Sequence, residues 1–129
     1  MAASIIATHA TPPESLLFQS FECHLKQIEK EKKSAASDAF DLAGIKSLKL
    51  DYQGALKYYN KAVELDPKNS LYLNDLGIIL NILGEYQKAI DYYEKAESIL
   101  KIKLGEDHPY TERVRDNIDG LVKSRLKKF

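Results

Sequence analysis

The chain of 129 residues contains one cysteine, Cys23, so no internal disulfide can form and a reducing compartment is favoured. Neither charge is in excess. Lys and Arg together number 19, as do Asp and Glu, which leaves no overall field to hold nucleic acid or an anionic membrane. Long apolar runs are also missing. The nearest to one, LGIILNILG at 76–84, falls far short of the roughly 18 residues that a spanning helix needs. The opening MAASIIATHATPP has no basic residue before its short apolar part, and so lacks the basic start of a secretory signal. With 44% apolar residues, the chain can build one compact domain. Together these features predict a soluble, cytoplasmic protein with no membrane span.

Constellations that carry catalysis are absent as well. Cys23 and His24 are adjacent, and successive helix residues point about 100° apart, so they do not form a nucleophile and base pair unaided. His108 stands in GEDHP, where Asp107, His108 and Pro109 more simply start a helix. His9 lies in an N-terminus expected to be disordered. No glycine-rich phosphate loop follows a strand, no Cys/His cluster has zinc spacing, and HExxH does not occur. The expectation is a non-enzyme with no catalytic residue, no metal and no cofactor, since a catalytic site needs converging groups.

What is present is a repeat. DYQGALKYYNKA at 51–62 returns as EYQKAIDYYEKA at 85–96, with seven of twelve residues identical and every identical pair 34 apart. The pairs are Tyr52/Tyr86, Gln53/Gln87, Ala55/Ala89, Tyr58/Tyr92, Tyr59/Tyr93, Lys61/Lys95 and Ala62/Ala96. Around the repeat the chain reads as helices throughout. Thr11, Pro12, Pro13 and Glu14 form a helix start with Thr11 as cap. Leu17, Phe21, Leu25 and Ile28 then make one apolar stripe, which ends in EKEKK and the small-residue segment SAAS. Further helices are expected at about 37–50, 52–65, 71–83, 86–104 and from His108 or Pro109 to about 123, with DPKN, Gly84 and GEDHPY as breaks. No segment alternates apolar and polar residues over a strand length, so the fold class is all-α.

A period of 34 built from two helices, with small residues at their crossing and a closing proline, resembles the tetratricopeptide repeat. In the first copy Leu42, Ala43, Tyr52, Ala55, Tyr59, Ala62 and Pro67 fall on its pattern. In the second copy Leu76, Gly77, Leu80, Gly84, Tyr86, Ala89, Tyr93 and Ala96 do so. Packing explains the pattern: Ala55 and Ala89 let paired helices approach, Tyr59 and Tyr93 fill the space beside them, and Ala62 and Ala96 admit the next repeat. Ala39 and Leu73 replace the pattern's tryptophan, Lys46 its first tyrosine in copy one, and Lys101 its proline in copy two. ILKIKLGEDHPYT resembles the longer linker of kinesin light chain repeats, which implies that the second helix of copy two runs to about Leu104.

The resemblance implies a short right-handed solenoid of about six helices. Its expected parts are a disordered 1–10, an N-terminal helix at 11–34 forming a degenerate half repeat, repeat 1 at 36–69, repeat 2 at 70–104, and a capping helix with a basic tail at 108–129. Phe18, Leu25 and Ile28 would be the packing residues of the half repeat. Ile118, Leu121 and Val122 match a third repeat, whereas Arg115 and Asp119 put polar groups where it would be apolar or small, as an outer cap needs.

Function has to be argued from a site, because a helical array is a scaffold. The resemblance implies a non-catalytic module that binds a partner protein's peptide or amphipathic helix in a groove lined by the first helix of each pair, as an adaptor or scaffold. The groove residues would be Ser37, Phe40, Gly44, Ser47 and Leu48, then Leu71, Asn74, Ile78, Asn81 and Ile82, with Arg113, Asp116, Gly120 and Lys123 from the cap. Helix 71–83 is apolar nearly all round, with Leu73, Leu76, Leu80 and Leu83 serving the core and Leu71, Ile78 and Ile82 left over. Either neighbouring helices cover those residues, or they form an exposed apolar groove. Members that clamp a carboxylate tail use a lysine and an asparagine where this chain has Phe40 and Gly44, so that mode lacks its cation. Gly44 and Gly120 either admit a ligand backbone or are weakly selected positions. KSRLKKF, with four basic residues in seven, suits a helix end or an anionic surface. The alternative function is a structural subunit forming a homo-oligomer through the apolar groove.

Overall fold

The computed structural model describes residues 13–126, and every regular element among them is a helix. In chain order these are α1 (Pro13–Leu48), α2 (Tyr52–Leu65), α3 (Ser70–Ile82), α4 (Tyr86–Leu104) and α5 (Pro109–Leu126). The chain divides into two compact units, residues 1–34 and 35–129. The expected Thr11 cap, the expected disorder of 1–10 and the last three residues of the basic tail lie outside the described residues.

Six helices were expected and five are found, because residues 34–36 are helical where SAAS predicts a break. Local propensity accounts for this. EKEKKSAAS holds no glycine or proline, and Glu, Lys and Ala are strong helix formers, so nothing in the segment stops a helix. In the first unit, Leu17, Phe18, Phe21, Leu25 and Ile28 are all exposed. Phe18, Leu25 and Ile28, expected to pack as a degenerate half repeat, therefore have no cover within their own unit.

In the second unit the 34-residue offset holds down to single hydrogen bonds. After α1, Asp51 N–H donates to Lys46 O at 2.9 Å and Leu50 N–H to Ser47 O at 3.0 Å. After α3, Glu85 N–H donates to Leu80 O at 2.8 Å and Gly84 N–H to Asn81 O at 3.0 Å. These bonds satisfy carbonyls that a helix end leaves unpaired, and they need one residue with positive φ. The second copy uses Gly84 there (φ 85°) and the first uses Leu50 (φ 62°). The starts of α2 and α3 are fixed by side chains: Asp51 accepts from Gly54 N–H, and Asn69 accepts from Leu71 and Tyr72 N–H, whereas Glu85 before α4 makes no such bond.

The core follows from small residues meeting large ones. Ala43, Ala55, Ala89 and Ala96 are fully buried, and the rings of Tyr59 and Tyr93 are packed into the same cluster with Leu73, Leu76, Ile79 and Leu80. A smaller cluster joins Ala36, Ala39 and Ala62 to Tyr72, where Ala39 replaces the repeat's tryptophan and Phe40 packs alongside. Phe40 stacks on Tyr72 with ring centroids 4.8 Å apart and meets Tyr59 edge-on at 5.6 Å.

α4 runs to Leu104, with GEDHPY as the break after it. The turn beyond is held by the buried Thr111, whose hydroxyl donates to Gly105 O at 2.8 Å. His108 starts α5, its Nδ1 accepting from Tyr110 N–H at 3.2 Å. Arg115, expected on a polar outer face, turns back instead: its Nε lies 3.6 Å from Glu97 on α4, and Nη2 donates to Glu106 O at 3.5 Å. The salt bridge of Glu97 with Lys101, at 3.1 Å, completes a small surface network.

Candidate interaction surface

α3 is the middle element of the face expected to meet a partner. On one side, Tyr72 stacks on Phe40 of the 35–48 sector of α1. On the other, Asn74 Oδ1 accepts a hydrogen bond from Asn117 Nδ2 of α5 at 3.0 Å. Two recesses flank α3 accordingly. One, of about 550 Å³, is lined by Phe40, Asp41, Gly44, Ile45, Ser47, Leu48, Tyr59 and Asp75. The other, of about 390 Å³, is lined by Ser70, Leu71, Asn74, Leu100, Lys103, Leu104, Tyr110, Arg113 and Val114.

The expected groove residues thus separate into three sets. Phe40, Gly44, Ser47 and Leu48 come together in the first recess, and Leu71, Asn74 and Arg113 in the second. Ile78 and Ile82 are exposed on α3 and Asn81 is half-buried there, while Asp116, Gly120 and Lys123 are exposed on α5; these six line neither recess. Phe40 is half-buried through its stacking, so only part of its ring remains available. Asn74 is buried with its carbonyl taken by Asn117, which makes it a tie between α3 and α5 more than a free contact. Ser37 is exposed and hydrogen-bonds with Tyr72.

Among the contributors beyond the expected residues, two bear on the polar character of the surface. Asp75 lines the first recess, and burial pushes its carboxyl above the ordinary carboxylate range, an effect that a hydrogen bond from Asn74 reduces. Among the described residues no lysine or arginine pairs with it. The phenols nearby respond: burial and then the Asp75 charge raise Tyr59 and push Tyr93 up to about 12. Asn117 is the second, since the half-buried pair it forms with Asn74 joins positions 43 apart in sequence. The first recess is consequently apolar with acidic walls (Asp41, Asp75). The second is apolar with Lys103 and Arg113 at its rim, the guanidinium lying 5.7 Å from the centre of the Tyr110 ring.

A larger open recess of about 870 Å³ borders α4, where Pro67, Lys68, Leu73, Ile99 and the well-exposed Ile102 line it. No group of His, Cys, Asp and Glu among the described residues could hold a metal ion, and no helix among them is long and apolar enough to cross a membrane.

Comparison with known proteins agrees with this architecture. Two models described as tetratricopeptide repeat match residues 40–69 and 58–91. A TPR repeat-containing protein of Methanocaldococcus jannaschii is 37% identical over 54 residues, covering 42% of this chain and 10% of that protein. The chain thus spans about a tenth of the length of that curated relative. Among solved structures, the N-terminal domain of stress-induced protein-1 from C. elegans superposes with a TM-score of 0.66 at 20% identity, covering 74% of each chain. The MamA protein superposes with a TM-score of 0.50 at 24% identity, covering 74% of this chain and 55% of MamA. At these identities the likeness is one of fold. Residues 40–91 of this chain are thus similar to tetratricopeptide repeats, and the all-helical fold is shared with both structures.

Proposed function

We propose that this chain is a non-catalytic cytoplasmic adaptor that holds a peptide or an amphipathic helix of a partner protein against the face built from α1, α3 and α5. Tetratricopeptide repeats are in general protein-interaction modules, which gives the class of function; the residues of this chain give the surface. Within that reading, 108–126 acts as the cap, and LGEDHP serves as a kinesin-light-chain-like linker that sets α5 against α4.

The observation that carries the proposal is the unequal use of α3. Leu73, Leu76, Ile79 and Leu80 are buried, yet Leu71, Ile78 and Ile82 of the same helix remain 53%, 38% and 49% exposed. Three large apolar side chains exposed on the most apolar helix of the chain are the pattern of a surface that a partner covers. Tyr110 and Phe40 extend it as aromatic contacts on either side.

The test is selection of peptide ligands from a displayed library against the intact chain, followed by amide shift mapping of the winners. The ligands should perturb Leu71, Ile78 and Ile82, and the Ile78→Ser/Ile82→Ser double variant should lose at least tenfold in affinity. That variant gives up about 1 kcal/mol of stability per site, because each side chain is only about half buried. Ligands that map elsewhere and bind the double variant equally well would refute the assignment. A double variant that loses several kcal/mol more would place both isoleucines in the core.

A further inference from the structure

The exposed stripe of the first unit is the feature that the interaction surface above does not use. Leu17, Phe18, Phe21, Leu25 and Ile28 are 42 to 69% exposed, and at 3.6 residues per turn they occupy a single arc of about 100°. A helix draws most of its stability from covering such an arc, so these residues call for an occupant. The stripe itself describes one. Phe18, Phe21, Leu25 and Ile28 follow the 3-4-3 spacing of a coiled-coil seam. Glu14 falls on the seam one step before them and Lys32 one step after, both exposed.

From this pattern we propose that residues 13–34 pair with the same segment of a second copy, antiparallel, about a two-fold axis near Cys23. In that arrangement Phe18 meets the partner's Ile28, Phe21 meets the partner's Leu25, and each contact occurs twice by symmetry. Glu14 meets the partner's Lys32 at both ends of the seam. A parallel pair would instead set Glu14 against the partner's Glu14 and Lys32 against the partner's Lys32, two like-charge contacts on the seam itself. Charge order therefore selects the antiparallel form. Its unfavourable contact is at the rim, where Glu22 approaches the partner's Glu22 in water, an exposed pair of small weight. Cys23 points away from the seam, so the pairing needs no disulfide. The inference is independent of the α1, α3 and α5 face: one surface would take a partner protein while the other joins two copies.

Sedimentation equilibrium of the full chain under reducing conditions, from about 5 to about 500 µM to suit an interface this small, tests it. The expected mass rises to twice the 14.6 kDa of one chain. Phe21→Ser/Leu25→Ser should return it to a single chain while the second unit keeps its melting temperature, and Ile78→Ser/Ile82→Ser should remain dimeric. Glu14→Lys and Lys32→Glu should each weaken association about fivefold, and the two together should restore it, since the end pairs are then merely reversed. A single-chain mass at the highest concentration overturns the proposal, as does a dimer indifferent to Phe21→Ser/Leu25→Ser. A dimer that dissociates in that variant but is not restored by the paired charge reversal overturns the antiparallel arrangement.

Discussion

Gly77→Ala should be the most informative single substitution in the repeat, because the Tyr93 ring of α4 lies directly against Gly77 of α3. A Cβ built on Gly77 would lie 2.6 Å from Cε1 and 2.7 Å from Cδ1 of Tyr93. Ordinary carbon contacts fall at about 3.5 to 4.0 Å, so the ring would have to retreat by about 1 Å. Tyr93 is 2% exposed and surrounded by the core cluster, which leaves it no free space to enter. Overpacking of this kind costs about 1 to 3 kcal/mol, whereas replacing glycine inside a helix returns about 0.8 to 1 kcal/mol of propensity. The net expectation is a loss of about 0 to 2 kcal/mol. Gly44 and Gly120 supply the control, since both are helical and a Cβ at either meets nothing within 4 Å. Alanine at those positions should stabilise by about 0.5 to 1 kcal/mol. Urea and thermal unfolding of the three variants would resolve the contrast, each kcal/mol moving the melting temperature by about 4 °C in a domain of this size. If Gly77→Ala were as stable as Gly44→Ala, the close crossing of α3 and Tyr93, and with it the packing account of the repeat, would be wrong.

Two further substitutions probe backbone and charge. Leu50→Gly should stabilise the protein by up to about 1 kcal/mol, because a left-handed residue other than glycine costs roughly 1 to 2 kcal/mol and the glycine entropy penalty takes back about half. The exposed Leu50 side chain has little burial to lose, so a lower denaturation midpoint would refute the strain at φ 62°. Asp75→Asn should stabilise the chain at neutral pH, with the advantage fading in acid. Burial raises the folded carboxyl above its unfolded value, so the wild type gains stability as pH falls through that raised value and carries the penalty above it. Melting curves at stepped pH check this, and a variant less stable than wild type at neutral pH would show that the charge is satisfied by its surroundings.

Much of the repeat was legible because its determinants are local. The 34-residue offset in Tyr52/Tyr86, Ala55/Ala89 and Tyr59/Tyr93 carries the helix pairing with it, since those residues are the contacts by which each pair packs. The extension of α4 to Leu104 was legible for a similar reason: nothing before Gly105 stops the helix. The break at SAAS was a misreading of another kind. It comes from taking the charged run EKEKK and the small residues SAAS as the end of the apolar stripe, yet the segment contains no residue that ends a helix.

The candidate surface is legible in the sequence as positions on the helices, and much less as contacts. Register places Phe40, Asn74 and Ile78 on the first helix of each pair, but it does not reveal what already occupies them. Asn74 is engaged by Asn117 from 43 residues away, and Phe40 by Tyr72 and Tyr59, contacts that depend on how four helices meet. Asp75 is the clearest case. One residue from Asn74, it reads in sequence as a solvated acid, and only the approach of the tyrosine-rich second helices turns it into a partly buried charge that raises Tyr59 and Tyr93. The two isoleucines are intermediate. Ile78 and Ile82 are neither core nor free, so their replacement cannot divide cleanly between no loss and a large one, and binding has to be measured beside stability. A charge whose setting is made by distant residues, and a half-buried apolar pair, are the features that a pattern along the chain specifies least.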